Sequence, residues 1–234
     1  MEQTEGARRN PLSPGRILHT AVALADEGGI DSVSMRKLAQ ELGVVPMALY
    51  KHIANKDELL DGMIDVVVSE IDPPGAGLDW KTAVRQRILS ARRALLCHTW
   101  ASRVIESRTT PTPAVLAYMD SMIGMLLSGG LSVDLTHHVM HALGSRILGF
   151  SQELFTPSAS VDPREAATAV RAMSGTYPHL AKVAARVDHD EGAVVGPGCD
   201  DQFEFEFALD LLLDGIEALR VRRWSSHSSQ QAAP

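Results

Sequence analysis

Residues 34–53 read SMRKLAQELGVVPMALYKHI, and this stretch decides the fold. Its apolar residues recur at helical spacing from Met35 to Leu42, and again from about Val45 to His52. Gly43 lies between the two segments and can adopt the positive φ that a tight turn requires. Two short helices joined by a three- or four-residue turn that contains glycine are typical of a helix-turn-helix.

The apolar residues of this segment support the same interpretation. Ala39 is small, as the close approach of the second short helix requires. The apolar side chains of Val44, Leu49 and Ile53 can pack the two short helices against a preceding helix. A glycine turn alone would suit any small three-helix bundle. Here the caps, the turn, the apolar plugs and the surface charges coincide within about twenty residues, which favours a DNA-reading unit.

The outward face of the second short helix carries the side chains that would contact DNA. A helix inserted in the major groove reads base edges with its exposed side chains. Cations at the starts of neighbouring helices can reach the phosphates. The predicted DNA-binding residues are Arg36, Lys37, Pro46, Met47, Ala48, Tyr50, Lys51, His52 and Lys56.

Local signals place helices on both sides of this segment. Pro14 is tolerated in a first helical turn and Gly28-Gly29 can stop that helix, so the first helix is expected between them. Either Ser32 or Ser34 can cap the next helix. Asn55 can cap a fourth helix, which runs from Lys56 to about Ile71 and is followed by the break PPGAG at 73–77.

The second half of the chain also predicts helices and no strands. Proline, glycine and serine mark the stops between apolar helical stretches. The first four predicted helices are Trp80 to about His98, Ala101–Glu106, Pro113–Leu127 and Val133 to about Phe155. A further helix is expected to begin at Asp162-Pro163 and to be interrupted at Tyr177-Pro178. After a loop at 188–201, the last helix runs from Gln202 to about Arg223.

Composition sets outer limits on the class of protein. No apolar run approaches the roughly 18 residues that a membrane span needs, and the N-terminus lacks the apolar segment of a secretory signal. Two cysteines suit a reducing compartment, so a cytoplasmic location is expected. The net charge is -7, and residues 1–60 hold seven Lys or Arg against eight Asp or Glu. A DNA reader needs a local basic face and not a positive total, so this charge excludes nothing.

At these residues the chain resembles the TetR family, close to its tetracycline-repressor branch. The similarity covers most of the chain and is weakest at 157–200. The matching runs are RKLAQ at 36–40, LGV at 42–44, LY at 49–50, His52, NK at 55–56 and LLD at 59–61, then Trp80, ALL at 94–96, His98, residues 126–132, 203–205 and 209–217. The departures at Pro46, Met47, Ala48 and Lys51 imply a different operator sequence.

The resemblance implies roles for several residues and a fold for the whole chain. Arg36 and the face from Pro46 to Lys51 would approach bases, while Tyr50, His52 and Lys56 would contact phosphates. The expected fold is all-α, with an N-terminal three-helix helix-turn-helix DNA-binding domain linked by a fourth helix to a C-terminal helical ligand-binding and dimerisation domain. The expected divisions are a disordered arm at 1–13, the helix-turn-helix domain with its linking helix at 14–72, the ligand-binding and dimerisation domain at 78–224 and a disordered tail at 225–234.

The resemblance further implies a homodimer that binds a palindromic double-stranded DNA operator. The helices 133–155 and 202–223 would pack against their twins as a four-helix bundle, and the last helix is too apolar to leave one face in water. A polar substitution of Leu212 should therefore disrupt the dimer. A small-molecule effector would release the operator through the fourth helix, provided that it binds the two states differently.

The effector pocket is expected between the fifth to eighth helices of this scheme. Ile105 occupies the position of the histidine that coordinates the drug-bound metal in the tetracycline repressor, so tetracycline with magnesium is not the expected effector. No cofactor or metal is expected. The predicted pocket residues are Arg87, Ala91, Ile105, Met119, Met122, Leu143 and Ile147. Core filling is the simpler explanation of the methionines, and Arg87 could equally serve at the surface or in a salt bridge.

Two further features have a structural and a chemical interpretation. His137 and His141 stand one helical turn apart, as metal ligands can, but no third ligand accompanies them in the sequence. Cys97 is expected to be a buried small apolar residue, and Cys199 to lie in a loop.

Three other functions remain open. The same reading head could serve an activator or a nucleoid protein. The chain could be a helical enzyme, although no nucleophile–base pair, carboxylate pair or phosphate loop emerges from the sequence. The C-terminal helices could bind a protein partner instead of a ligand.

Overall fold

The structure is a computed structural model that describes residues 11–149, 175–179, 182 and 201–227, with side chains in the helix ending at Gly149 described as far as Gly144. None of these residues lies in a β-strand, in agreement with the predicted all-α class. The helices are α1 Pro14–Gly28, α2 Met35–Leu42, α3 Pro46–Leu49, α4 Lys56–Ser69, α5 Trp80–Cys97, α6 Ala101–Ser107, α7 Pro113–Ser128, α8 Val133–Gly149 and α9 Asp201–Val221.

Helix α1 begins where its local signals predict. The Ser13 hydroxyl accepts a hydrogen bond from the Arg16 N–H, and Pro14 lies in the first turn. The helix buries a stripe against the core: Ile17, Ala21, Val22, Leu24 and Ala25. Leu12 packs against the same core, so the end of the predicted disordered arm at 1–13 takes part in the fold. Residues 1–10 lie outside the described part of the chain.

The turn between α2 and α3 has the predicted form. Ser34 is the cap of α2, because its hydroxyl accepts from the Lys37 N–H, whereas Ser32 lies in a 3-10 turn and donates to the Leu24 carbonyl. Gly43 follows α2 with φ 66° and ψ 35°, in the left-handed region that glycine occupies without steric cost.

Helix α3 is shorter than predicted. It ends at Leu49 and not near His52, since the N–H groups of His52 and Ile53 both bond to the Leu49 carbonyl and close the helix in a turn. The residues from Tyr50 to His52 form a turn that continues the surface of the helix.

Helix α4 has a reciprocal cap. The Asn55 side chain accepts from the Glu58 N–H at 2.9 Å, and the Glu58 carboxylate accepts from the Ala54 N–H at 2.6 Å. The helix approaches α1 closely, because a Cβ on Gly62 would lie 2.6 Å from a methyl carbon of Leu18. It ends at Ser69, two residues before the predicted Ile71, because Glu70 and Ile71 bond three residues back in a tighter turn.

One hydrophobic core joins α1–α4 to α5 and α6. Leu59, Met63, Ile64 and Val67 of α4 are buried in it, and Ala94, Trp100, Ala101 and Val104 belong to the same cluster. The chain divides into two compact units, Met1–Gly130 and Leu131–Pro234. The PPGAG break at 73–77 therefore lies inside the first unit, and the division of function at this break stays a prediction.

In the second unit, α8 and α9 are described separately from the segment between them. Helix α8 follows Ser132, which caps it by accepting from the Leu135 N–H at 3.1 Å. Its predicted extension to Phe155, the helix at Asp162-Pro163 and most of the loop at 188–201 lie outside the described residues. Helix α9 begins at Asp201, the last residue of that predicted loop.

The predicted tail at 225–234 begins with residues that have partners. The Ser226 N–H and hydroxyl donate to the Asp134 carboxylate at 2.7 and 2.8 Å, so the start of this segment is fastened to α8. Residues 228–234 lie outside the described part of the chain. Among the described residues, no helix is both long and apolar enough to cross a membrane.

Candidate functional site

The outward face of α3 is the candidate DNA-reading surface. Leu49 and Ile53 are buried beneath it, as the sequence predicts for the residues that hold α3 on the core. Met47 is 72% exposed. Four of the predicted contact residues on this face are exposed: Pro46, Met47, Tyr50 and Lys51. The other two, Ala48 and His52, are half-buried.

Sequence reasoning omitted one residue from this face. Val45 is the cap residue of α3 and is 68% exposed, beside the exposed Met47. An apolar side chain that is left in water at the start of a recognition helix can contact a thymine methyl group. The signal in the sequence was its position directly before Pro46, at the helix start.

The predicted phosphate contacts lie at the starts of α2 and α4. Arg36 and Lys37 are exposed in the first turn of α2, and Lys56 is exposed as the first residue of α4. Lys56 is followed by Asp57, whose carboxylate is paired with Arg108 at 2.9 Å. This pairing offsets a negative charge that would otherwise oppose a phosphate next to Lys56.

Arg108 joins the end of α6 to the first half of α4. Its Nη1 lies 2.9 Å from Asp57 Oδ1, and its Nε lies 2.8 Å from Asp61 Oδ1. The hydrogen bond that Arg108 donates to Asp57 is the main cause that raises the pKa of Arg108, so the guanidinium stays charged. One turn further along α4, the Asp65 carboxylate accepts from the Ala114 N–H at the start of α7. Three carboxylates spaced four residues apart thus attach α4 to the α6–α7 connection.

Arg87 is the cation among the predicted pocket residues, and it has partners in the structure. Its Nη1 donates to the carbonyls of Ile71 and Asp72, directly after α4. Its guanidinium carbon lies 5.0 Å from the centre of the Tyr118 ring on α7. The Arg87 Nε has no hydrogen-bond partner. The guanidinium therefore has a structural role, and its Nε–H is a buried donor without a partner.

Tyr118 is a second polar group at this place, and the sequence analysis missed it. Its hydroxyl is buried without a hydrogen-bond partner. Burial raises the pKa of Tyr118 to about 12, although the Arg87 charge acts in the opposite direction, so the phenol is neutral and can donate. Its position one helical turn before Met122 was the available signal.

The other predicted pocket residues are distributed over both units. Ala91 and Met122 are buried on α5 and α7, which pack together, whereas Met119 is exposed. Ile105 is half-buried and lines a cavity of about 170 Å³ with Ile64, Arg108, Val115 and residues 110–112. Leu143 is buried in the second unit, and the side chain of Ile147 lies outside the described residues.

The histidines of α8 form a surface cluster. The ring of His137 lies 4.8 Å from that of His141 and 5.2 Å from that of His138, measured between centroids. His138 Nε2 lies 3.7 Å from Asp134 Oδ1. Within the described residues, no three His, Cys, Asp or Glu side chains are grouped as a metal site requires.

The expectation for Cys97 was wrong. Cys97 is exposed. It is the last residue of α5, and the buried positions near it are Ala94 and His98. Cys199 lies outside the described residues.

Two family models match the chain. A model described as bacterial regulatory proteins, tetR family, matches residues 17–63, and one described as tetracyclin repressor-like, C-terminal domain, matches residues 73–220. The first model spans α1–α3 and the start of α4. The second begins at the predicted break after α4 and covers more than half of the chain.

Similar proteins agree with these models. An HTH-type transcriptional regulator of Saccharopolyspora erythraea is 28% identical, over 91% of this chain and 88% of that protein. The tetracycline repressor protein class C of Escherichia coli is 25% identical, over 91% and 94%. The crystal structure of the Streptomyces coelicolor TetR family protein ActR in complex with (S)-DNPA has a TM-score of 0.67 at 28% identity and covers 89% of this chain and 98% of its own. The chain therefore belongs to the TetR family of DNA-binding transcriptional regulators, with an N-terminal helix-turn-helix and a tetracyclin repressor-like C-terminal domain.

Proposed function

We propose that this protein is a ligand-responsive transcriptional repressor that binds a palindromic operator as a homodimer and is released by a small molecule other than tetracycline. The observation that carries the proposal is the face of α3, where exposed Met47, Tyr50 and Lys51 stand on a buried base of Leu49 and Ile53. A large apolar side chain and a cation exposed together on such a helix suit a major groove.

The dimer supplies the second reading head. Along α9, the side chains of Phe203, Phe207 and Leu211 are exposed at four-residue spacing, and the two phenyl rings stack with centroids 6.4 Å apart. A continuous apolar stripe of this kind is rarely left in water by a soluble chain. Packing against a twin around a two-fold axis would place two recognition helices about 34–36 Å apart, one turn of DNA.

The effector acts through α4 in this proposal. This helix begins beside the DNA-reading surface and is attached at Asp57, Asp61 and Asp65 to the α6–α7 connection. Arg87 of α5 holds the carbonyls directly after α4. A ligand that moves α5 or α7 therefore moves α4, and it shifts the equilibrium only if it contacts the two states differently.

The predicted pocket residues favour an effector with an apolar body and a hydrogen-bond acceptor. The neutral hydroxyl of Tyr118 and the Nε of Arg87 are the buried side-chain donors without a partner among the described residues of α5 and α7. Ala91, Met119 and Met122 supply apolar surface on the same pair of helices. Ile105 offers no lone pair to a metal, so the proposal excludes a metal-bound drug held through this position.

The first experiment selects bound duplexes from a random DNA pool and footprints the selected sites with the full-length protein. A palindrome of about fifteen base pairs, protected symmetrically, is the expected result for a two-fold reader. Titration of operator affinity against salt then counts the phosphate contacts. A folded dimer that enriches no sequence at moderate salt would contradict the proposal.

The effector hypothesis has its own test. Small molecules are screened for release of the selected operator, with tetracycline and Mg²⁺ included as a probe that should leave the complex intact. Tyr118→Phe removes the unpartnered donor and should weaken release by an active compound about fivefold or more, the loss of one hydrogen bond. Tyr177→Phe is the matched control, because Tyr177 is exposed. Equal effects of the two variants would show that Tyr118 does not contact the effector.

A further inference from the structure

His98 lies at a junction of three helices in the first unit. Its Nδ1 is 2.8 Å from Asp26 Oδ1 near the end of α1, and its Nε2 is 3.0 Å from Glu70 Oε2 directly after α4. The Trp100 indole N–H donates to the same Asp26 oxygen at 2.7 Å. His98 itself follows α5 and is buried. One imidazole thus connects segments that are 72 and 28 residues away in the chain.

This arrangement requires a particular protonation state. A carboxylate oxygen only accepts hydrogen bonds, while a neutral imidazole has one donor and one acceptor nitrogen. Only the imidazolium can donate to Asp26 and Glu70 together. The groups that face the ring are Asp26 from α1, Glu70 from the end of α4 and the neutral indole of Trp100 from the turn before α6.

We propose that His98 is a protonation-dependent clamp that fastens the DNA-reading head to α5 and makes operator binding sensitive to pH near neutrality. When the clamp is closed, α1 and the end of α4 are both tied to one side chain. When the ring loses a proton, one of the two carboxylates loses its donor, and the lone pair of the ring then faces an anion.

Exposure decides which attachment opens. The side chain of Glu70 is 48% exposed and that of Asp26 is 31% exposed. Asp26 also holds the Trp100 indole, so it keeps the remaining ring N–H and Glu70 turns to water. The end of α4 therefore keeps its contact with Arg87 but loses its contact with His98, while α1 stays attached. Since α4 joins the reading head to the rest of the protein, the loss of this contact leaves the position of the head less fixed.

The direction of the pH effect follows from the pKa of His98. Burial acts most strongly and lowers this pKa, but the hydrogen bonds and charges of Asp26 and Glu70 together raise it above its ordinary value of 6.5. The stabilisation is therefore complete below about pH 6.5 and is lost as the pH rises through the raised pKa. A reading head that the closed clamp holds in one position loses less entropy when it binds the operator. Because the clamp opens as the pH rises, we expect operator affinity to fall with rising pH.

The first arm of the test needs no operator. NMR titration of the full-length protein should give His98 a pKa above 6.5, and Glu70→Gln should lower it, because the variant removes one of the two charges. His19 is the reference within the same spectra, since it is exposed on α1. A His98 pKa at or below 6.5, or one unchanged by Glu70→Gln, would overturn the clamp.

The second arm rests on the proposed repressor function and uses the selected operator. Affinity of the wild type should fall as the pH rises above 6.5, by at most about tenfold for each pKa unit of the shift. The fall should shrink in His98→Gln and in Glu70→Gln, both of which leave His52 on the reading surface unchanged, and it should persist in His19→Gln. Identical pH profiles in all four proteins would overturn the clamp, whereas absence of operator binding at every pH would contradict the repressor proposal and leave the NMR result standing.

Discussion

Single side chains determine both the chemistry and the geometry of the candidate DNA-reading surface. Arg36 and Lys51 are exposed cations on successive segments of the helix-turn-helix. Gly43, between α2 and α3, occupies the left-handed region at φ 66°, and a Cβ added there would meet no atom within 4 Å. The requirement for glycine is thus conformational and not a matter of space.

The two cations give the most direct test of the reading surface. Arg36→Ala and Lys51→Ala should each weaken operator binding, by about 1–3 kcal/mol for a base contact, or with a salt slope reduced by roughly 1 for a phosphate contact. The dimer should remain intact in both variants. Arg103→Ala on α6 is the control, because it removes an exposed cation elsewhere. Unchanged operator binding in both test variants would show that the DNA-binding surface is not formed by α2 and α3.

Gly43→Ala should destabilise the protein by about 1–2 kcal/mol, because an L-residue is strained in the left-handed region. In a chain of this length the loss corresponds to a fall of about 2–8 °C in Tm. Gly124→Ala is the control: Gly124 is exposed inside α7 with open space around it, so alanine there should stabilise the helix by about 0.5–1 kcal/mol. Urea unfolding at fixed protein concentration measures both, and a neutral Gly43→Ala would contradict the turn geometry.

At the scale of elements, α4 is the helix with attachments along its whole length. Its first half is tied to the α6–α7 connection by Arg108 and by the Ala114 N–H, and the residues after it are tied to α5 by Arg87 and His98. Its apolar face is buried in the core that it shares with α1. In the proposed mechanism, these polar contacts and the shared core are the connections through which motion of α5–α7 would reach the reading head.

Arg108→Met should loosen α4 without unfolding the chain. The variant keeps an unbranched apolar stem and removes the ion pairs to Asp57 and Asp61. Partly exposed pairs contribute about 0.2–1 kcal/mol, so hydrogen exchange of the amides at 56–69 should accelerate by up to about fivefold. Arg220→Met is the control, because its partner Glu217 lies on the same helix. If Arg108→Met leaves the hydrogen-exchange rates of the α4 amides unchanged, the ion pairs of Arg108 do not stabilise the position of α4.

At the scale of the whole molecule, the structure changes which residue tests the dimer. Leu212 is half-buried within its own unit, so the substitution suggested by the sequence would also disturb internal packing. Leu211 is 58% exposed on the stripe with Phe203 and Phe207. It tests the contact between two copies while leaving the interior of each intact.

Leu211→Asp should convert the dimer into a monomer, because two charges would be buried at the two-fold contact without partners. Operator affinity should fall with it, since a monomer reads only one half-site. Leu116→Asp is the matched control, being a leucine that is 52% exposed on α7. Sedimentation and light scattering measure the mass. A Leu211→Asp protein that stays dimeric would place the interface elsewhere.

The sequence by itself determined the order of the described helices and most of their limits. Ser13, Ser34 and Asn55 cap their helices through bonds to residues three positions away, and Gly43 needs only its own backbone freedom. The burial of Leu49 and Ile53 beneath the exposed face of α3 follows from helical period alone. These features depend on neighbours in the chain, which is why a pattern of residues predicts them.

The tertiary structure alone decided which distant groups meet. Nothing near His98 in the chain indicates that it bonds to Asp26 and Glu70, or that Arg87 holds the carbonyls after α4 beside Tyr118. The exposure of Cys97 likewise depends on how the end of α5 packs. A side chain's partners across tens of residues are set by the packing of whole helices, and that packing is a property of the complete fold and not of any local segment.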